Sequence, residues 1–148
     1  TVMAHRNRAP VDDLISLGAA EAATPAEVAA RSDLVILCVT GTPQIEDIIY
    51  GEHGLAFAER QGLIIADCST AEPDSTIRIA ADLAKHGVTF LDTPMTRTPK
   101  EAEAGKLGLM TGGPADVMAQ IRPVLECFAD TIVHAGAVGS AHQLNGYT

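Results

Sequence analysis

Residues 34–39, LVILCV, form an unbroken apolar run rich in branched side chains, and the run stops abruptly at Thr40-Gly41-Thr42-Pro43. A strand with one wet face alternates polar and apolar residues, whereas a run with no polar member fits a strand covered on both faces in a parallel sheet. Parallel neighbours cannot be joined by a tight turn, so a helix must carry the chain back across the sheet. The rest of the sequence meets that demand. A helical stretch at 43–51 leads to GLIIADCST (62–70), a longer one at 73–87 leads to VTFLD (88–92), and KLGLMTGG (106–113), a helix over 114–129 and TIVHAG (131–136) complete the series. This alternation predicts an α/β domain with a mainly parallel sheet.

Upstream, TVMAH at 1–5 reads as a strand. PVDDLISLGA then places Pro10 at a first helical position and Gly18 at a stop, and TPAEVAARSD offers Thr24 as N-cap, Pro25 after it and Glu27 three residues from the cap. At 148 residues the chain is long enough for one cored domain. A formal charge of −9 with scattered lysines and arginines argues against a nucleic-acid partner. No apolar run approaches the roughly 20 residues that cross a bilayer, so no membrane partner is expected. Cys38, Cys68 and Cys127 show no CxxC spacing. They are read as buried thiols in a reducing, cytoplasmic compartment. His5, His53 and His86 have no ligand spacing, and no metal site is expected.

Three apolar runs end in hydroxyl-rich segments: CVTGTPQ, DCSTAEP and DTPMTRTP. Each alone is an ordinary turn or helix cap, with Thr70 or Asp74 able to cap the helix that follows. Three of them at one sheet edge point to a ligand crevice, because open α/β sheets bind ligands beyond the carboxyl ends of their strands. HRNRAP, after the first strand, brings Arg6 and Arg8 where a dinucleotide-binding unit meets the adenosine ribose. An arginine there suits the extra phosphate of NADP, and an acid would select NAD. The other reading is a solvated arginine pair.

Together, DCST with Pro73, LDTPMTRTP followed by EAGKLGLMTGG, and HAGAVGSAHQL resemble the successive motifs of the β-hydroxyacid dehydrogenases, whose cofactor domain is similar to the NAD-binding domain of 6-phosphogluconate dehydrogenase. The resemblance runs over essentially the whole chain. It implies a Rossmann-like, doubly wound sheet, incomplete at its N-terminus, and an NADP-dependent oxidoreductase, with NAD as the second choice. The hydride would pass between the nicotinamide and a small β-hydroxy acid or its semialdehyde, such as 3-hydroxyisobutyrate or 2-hydroxy-3-oxopropionate. By position, Arg6 and Arg8, the Val39-Thr40-Gly41 loop, and Ser69 and Thr70 are the implied cofactor residues. Thr96, Arg97 and Thr98 stand in the loop that holds the substrate carboxylate, with His142 one turn from the expected catalytic lysine.

The sequence departs from the family pattern in three places. Arg97 and Thr98 replace two glycines, so Arg97 either offers a fork to an acid group or points to solvent while the loop takes another path. Asn145 stands at the counted lysine position, and an amide cannot exchange a proton as an ammonium does. Taken literally, Asn145 supports the alternative of a non-catalytic dinucleotide-binding relative. The junction of HQL with NGYT also reads as one from which a few residues, lysine included, have dropped out. The family's GxGxxG turn belongs before Thr1 and its all-helical, dimer-forming domain after Thr148. Residues 1–148 are therefore expected to be a partial dinucleotide-binding domain, inactive alone, of an enzyme that is a homo-oligomer.

Overall fold

The computed structural model describes residues 7–146. The expected first strand at 1–5, and Arg6, lie outside the described residues. In chain order the elements are α1 (Arg8–Ser16), α2 (Pro25–Ala30), β1 (Leu34–Leu37), α3 (Thr42–Tyr50), β2 (Ile64–Asp67), α4 (Pro73–Ala84), β3 (Thr89–Asp92), β4 (Met95–Thr96), α5 (Pro99–Glu103), β5 (Leu107–Gly112), α6 (Ala115–Leu125), β6 (Ala129–Gly136) and α7 (Ser140–Asn145), with a 3-10 turn at Leu55–Phe57. The sheet runs β1-β2-β3-β5-β4, with β6 beside β5. β1, β2 and β3 are parallel neighbours and β6 is parallel to β5, whereas β5 runs antiparallel to β3 and β4.

Local chemistry explains several of these boundaries. Thr24 caps α2 by accepting from the Glu27 amide at 3.2 Å, and the Glu27 carboxylate accepts from the Ala23 amide at 2.9 Å. α4 buries Ser75, Thr76, Ile79 and Leu83, and α6 buries Met118, Ile121 and Leu125, each set at helical spacing. Along β2 every residue is buried, but successive side chains point to opposite faces. Ile65 and Phe90 join Val35, Leu37, Ile45, Ile79 and Leu83 in one core, while Ile64, Ala66 and Leu91 join Leu107, Leu109, Ile121 and Leu125 in the other. The sheet thus has a core on each face, the doubly wound arrangement.

Four readings of the sequence are corrected. The helix at Pro10 begins two residues earlier, at Arg8, because the Asn7 side chain accepts from the Ala9 amide and supplies the cap. β1 is not covered on both faces: Ile36 is 40% exposed and Cys38 is exposed, and among the described residues β1 pairs only with β2. Cys127 is exposed as well, just past the end of α6, leaving Cys68 as the buried thiol. Finally, the polar segment after β3 is not a plain loop. It contains β4 and α5, and the start of α5 is fixed by a capping box between Thr98 and Glu101. No helix of the described residues is long and apolar enough to cross a membrane.

Candidate active site at the carboxyl edge of the sheet

Leu37 pairs with Asp67 and Asp67 with Asp92, so β1, β2 and β3 end at the same level. The three hydroxyl-rich segments leave the sheet side by side. The first two are tied together. The Ser69 hydroxyl accepts from the Val39 amide at 2.9 Å, and the Thr42 hydroxyl accepts from the Glu72 amide at 2.9 Å. Val39, Thr40, Gly41, Ser69 and Thr70 are therefore brought together.

Within this group Ser69 faces inward. Its amide donates to Asp67 Oδ1 at 3.0 Å, its carbonyl meets His142 Nε2 at 2.9 Å, and its hydroxyl holds the Val39 amide. Thr70, one residue on, is exposed. Asn145 Nδ2 donates to the Thr70 hydroxyl at 3.4 Å. Neither Thr70 nor Asp74 caps α4, whose N-cap is Glu72.

The two strand-end acids are fully buried and do different work. Asp92 accepts from the amides of Gly139 (2.8 Å), Ala141 (2.9 Å) and His142 (3.0 Å). It thereby satisfies the orphan donors at the start of α7 and occupies the place an outside anion would take. Gly112 lies opposite Asp92 in the sheet, and a methyl group there would overlap its carboxylate. Asp67 uses Oδ1 for Ser69, while Oδ2 has no hydrogen-bond partner among the described residues. Burial pushes the Asp67 carboxyl above its ordinary range, against the lowering effect of the Ser69 bonds and His142. The sequence signal for both roles is the acid ending each of IIAD and TFLD, two runs that are otherwise apolar apart from one threonine.

His142 is 1% exposed. Nδ1 is 2.7 Å from the Thr76 hydroxyl, so the ring is turned into the protein and not toward the crevice. Two of the thiols are held back from ionising. Burial pushes Cys68 up to about 12, beside the Thr93 hydroxyl at 3.2 Å, and raises Cys38 as well.

The Thr96 loop is built differently. Thr96 is half-buried, its hydroxyl packed over Gly108, its partner across the antiparallel pair. Arg97 has a φ of 80°, the left-handed region for which a glycine is better suited. Its guanidinium neither projects freely into solvent nor faces the crevice: it binds the Lys106 carbonyl, Asp130 Oδ1 (2.7 Å) and the Thr131 hydroxyl (3.1 Å). Thr98 is committed to the α5 cap. Arg8, at the start of α1, is an exposed residue bonded to Glu21 and Asp12.

What the edge presents outward is thus hydroxyls and backbone. Thr40 and Thr70 are exposed, the first turn of α3 has no side-chain cap, and nothing stands closer than 3.8 Å to the open side of Gly41. The nearby acids, Asp67 and Asp92, are turned inward. This donor set suits an extended, anionic ligand laid across the strand ends. A concavity of about 350 Å³ lies elsewhere, lined by Tyr50, Phe57, Asp82, Leu83 and His86, at the far end of α3 and α4. It holds none of the residues given a cofactor or substrate role from the sequence.

Residues 1–136 match the family described as the NAD binding domain of 6-phosphogluconate dehydrogenase. The chain is 34% identical over 128 residues to 2-hydroxy-3-oxopropionate reductase of Escherichia coli K12, covering 86% of this chain and 44% of that protein. Among solved structures, Psf3 in complex with NADP+ and 2-OPP superimposes with a TM-score of 0.87 at 28% identity, covering 95% of this chain and 50% of that one. Mycobacterium tuberculosis 3-hydroxyisobutyrate dehydrogenase with L-serine gives 0.83 at 29%, covering 93% and 47%. The chain spans about half the length of the relatives it matches.

Proposed function

The chain belongs to the β-hydroxyacid dehydrogenase family, with a cofactor domain of the 6-phosphogluconate dehydrogenase type, and from that premise we propose that it binds NADP for hydride exchange with a small β-hydroxy acid or its semialdehyde. The observation that carries the reading is the alignment of three strand ends, which gathers the Thr70 hydroxyl and the Val39–Gly41 backbone at one edge. The chemistry a bound nicotinamide supplies is the two-electron hydride transfer. The chain's part is to hold and orient. The loop at 39–41 lies against the ligand through its backbone, the Thr70 hydroxyl faces the crevice, and Ser69 keeps the two loops in register.

For the substrate, the proposal gives Thr96 to the carboxylate, while Arg97 and Thr98 shape the loop that presents it. 3-Hydroxyisobutyrate and 2-hydroxy-3-oxopropionate are the acids we put first, in keeping with the related reductase and dehydrogenase. Asn145 steadies Thr70 and is not given the proton-exchanging role, because an amide has no proton to release near neutral pH. We also assign residues 1–148 to the cofactor part of a longer, oligomeric enzyme, and the cytoplasm as its compartment, the latter from its unpaired cysteines.

The choice of NADP over NAD rests on Arg6 and Arg8. A 2′-phosphate at Arg8 must compete with Glu21 and Asp12 for the guanidinium. NADPH should raise Tm in a saturable way, and no shift at millimolar ligand contradicts the reading. Arg6→Ala combined with Arg8→Ala should weaken NADPH much more than NADH. Equal losses remove the basis for NADP.

A further inference from the structure

His142 is joined to three separate elements at the carboxyl edge. Its backbone amide donates to Asp92 at the end of β3, Nδ1 meets Thr76 in the first turn of α4, and Nε2 meets the Ser69 carbonyl after β2. A carbonyl only accepts, so Nε2 must carry the proton of that bond. Asp67 Oδ2 lies 3.9 Å from the same nitrogen, too far for a hydrogen bond. Ser69 is thereby held through both flanking peptides, its amide by Asp67 and its carbonyl by His142. Turning the Ser69 backbone as a whole would swing Thr70 off Asn145 and release the Val39 amide from the Ser69 hydroxyl.

We infer that His142 is a positioning residue: through the Nε2–H bond to the Ser69 carbonyl it fixes the Thr70 hydroxyl and the Val39 loop in the orientation that receives the ligand. The inference rests on the proposed cofactor site for its meaning, but the bond itself is testable without any ligand. Two amide variants separate the ring's two nitrogens. In His142→Gln the side-chain amide reaches the Nε2 position and restores a donor to Ser69, whereas in His142→Asn it reaches only the Nδ1 position and keeps Thr76.

In the wild-type chain, long-range 1H–15N spectra of the ring should show Nε2 protonated, and a bare Nε2 overturns the inference. The backbone amide signals of Val39 and Thr70 should stay near their wild-type positions in His142→Gln and move in His142→Asn. If both variants move them equally, or neither does, His142 only fills space. With NADPH as the probe, His142→Asn should bind about 5-fold or more weakly than His142→Gln, the loss of one hydrogen bond that orders the site. Affinities that follow Tm alone point to a structural role and overturn the inference. If the wild type binds no NADPH while the amide pattern holds, the cofactor reading fails and the positioning of Thr70 by His142 stands.

Discussion

The ends of β2 and β3 and the β4–α5 loop are both rich in polar side chains, yet they are held in opposite ways. At the strand ends, Asp67, Ser69, Asp92 and His142 are buried and bond chiefly to backbone groups of other elements. In the loop, Arg97 and Thr98 are exposed, as is Arg97's partner Asp130 on β6, and they bond to neighbours within reach of water. A buried polar group that loses its partner keeps its full desolvation cost, so the first arrangement tolerates little change. An exposed ion pair exchanges readily with solvent, so the second can change its side chains and keep its path. On the proposed function, the rigid part of the edge would serve cofactor geometry and the tolerant part substrate choice.

Asp92→Ala attacks the rigid side most directly. Three amides at the start of α7 lose their acceptor inside the protein, and unfolding by urea should show a loss of about 3 kcal/mol or more. Gly112→Ala acts on the same carboxylate by crowding it, with an expected loss of about 2 kcal/mol. If either variant is neutral, the edge is softer than its bonding implies.

Asp67→Asn tests the same side by pH. Burial raises the Asp67 pKa in the folded state, so the folded chain holds this proton more tightly than the unfolded one and stability falls as pH rises through that interval. Asparagine keeps an acceptor for the Ser69 amide without the ionisation. The variant should match the wild type near pH 3 and gain on it toward pH 7, as read from Tm against pH. A gap that narrows with rising pH would mean that Asp67 is stabilised as the anion.

Arg97→Ala should have the smallest effect. The loss in Tm should be close to the limit of detection, smaller still at about 0.5 M salt, because the Arg97–Asp130 pair is solvent-accessible. Arg97→Gly should recover stability relative to alanine, since φ there is 80°. A large loss from Arg97→Ala would move this residue to the rigid side of the comparison.

The sheet was legible in the sequence because buried parallel strands leave unbroken apolar runs, and the candidate edge because three such runs stop in hydroxyl-rich turns. Less legible were features that depend on contacts far apart in sequence. Cys38 is exposed just past the end of β1, which the apolar run LVILCV itself does not reveal. The inward turn of His142 depends on Ser69 and Thr76, each more than sixty residues away. Arg97 looked like a candidate substrate fork because its partner, Asp130, sits on a strand that becomes its neighbour only once β5 pairs with both β4 and β6. The α5 cap, by contrast, is locally encoded in Thr98-Pro99-Lys100-Glu101.

The most direct test of the cofactor site is an NADPH titration of the 15N-labelled chain followed by amide chemical shifts. Saturable shifts centred on Val39, Thr40, Gly41, Ser69 and Thr70 are expected. Shifts centred instead on the Tyr50, Phe57 and His86 groove, or none at millimolar ligand, would contradict a cofactor site at the carboxyl edge of the sheet.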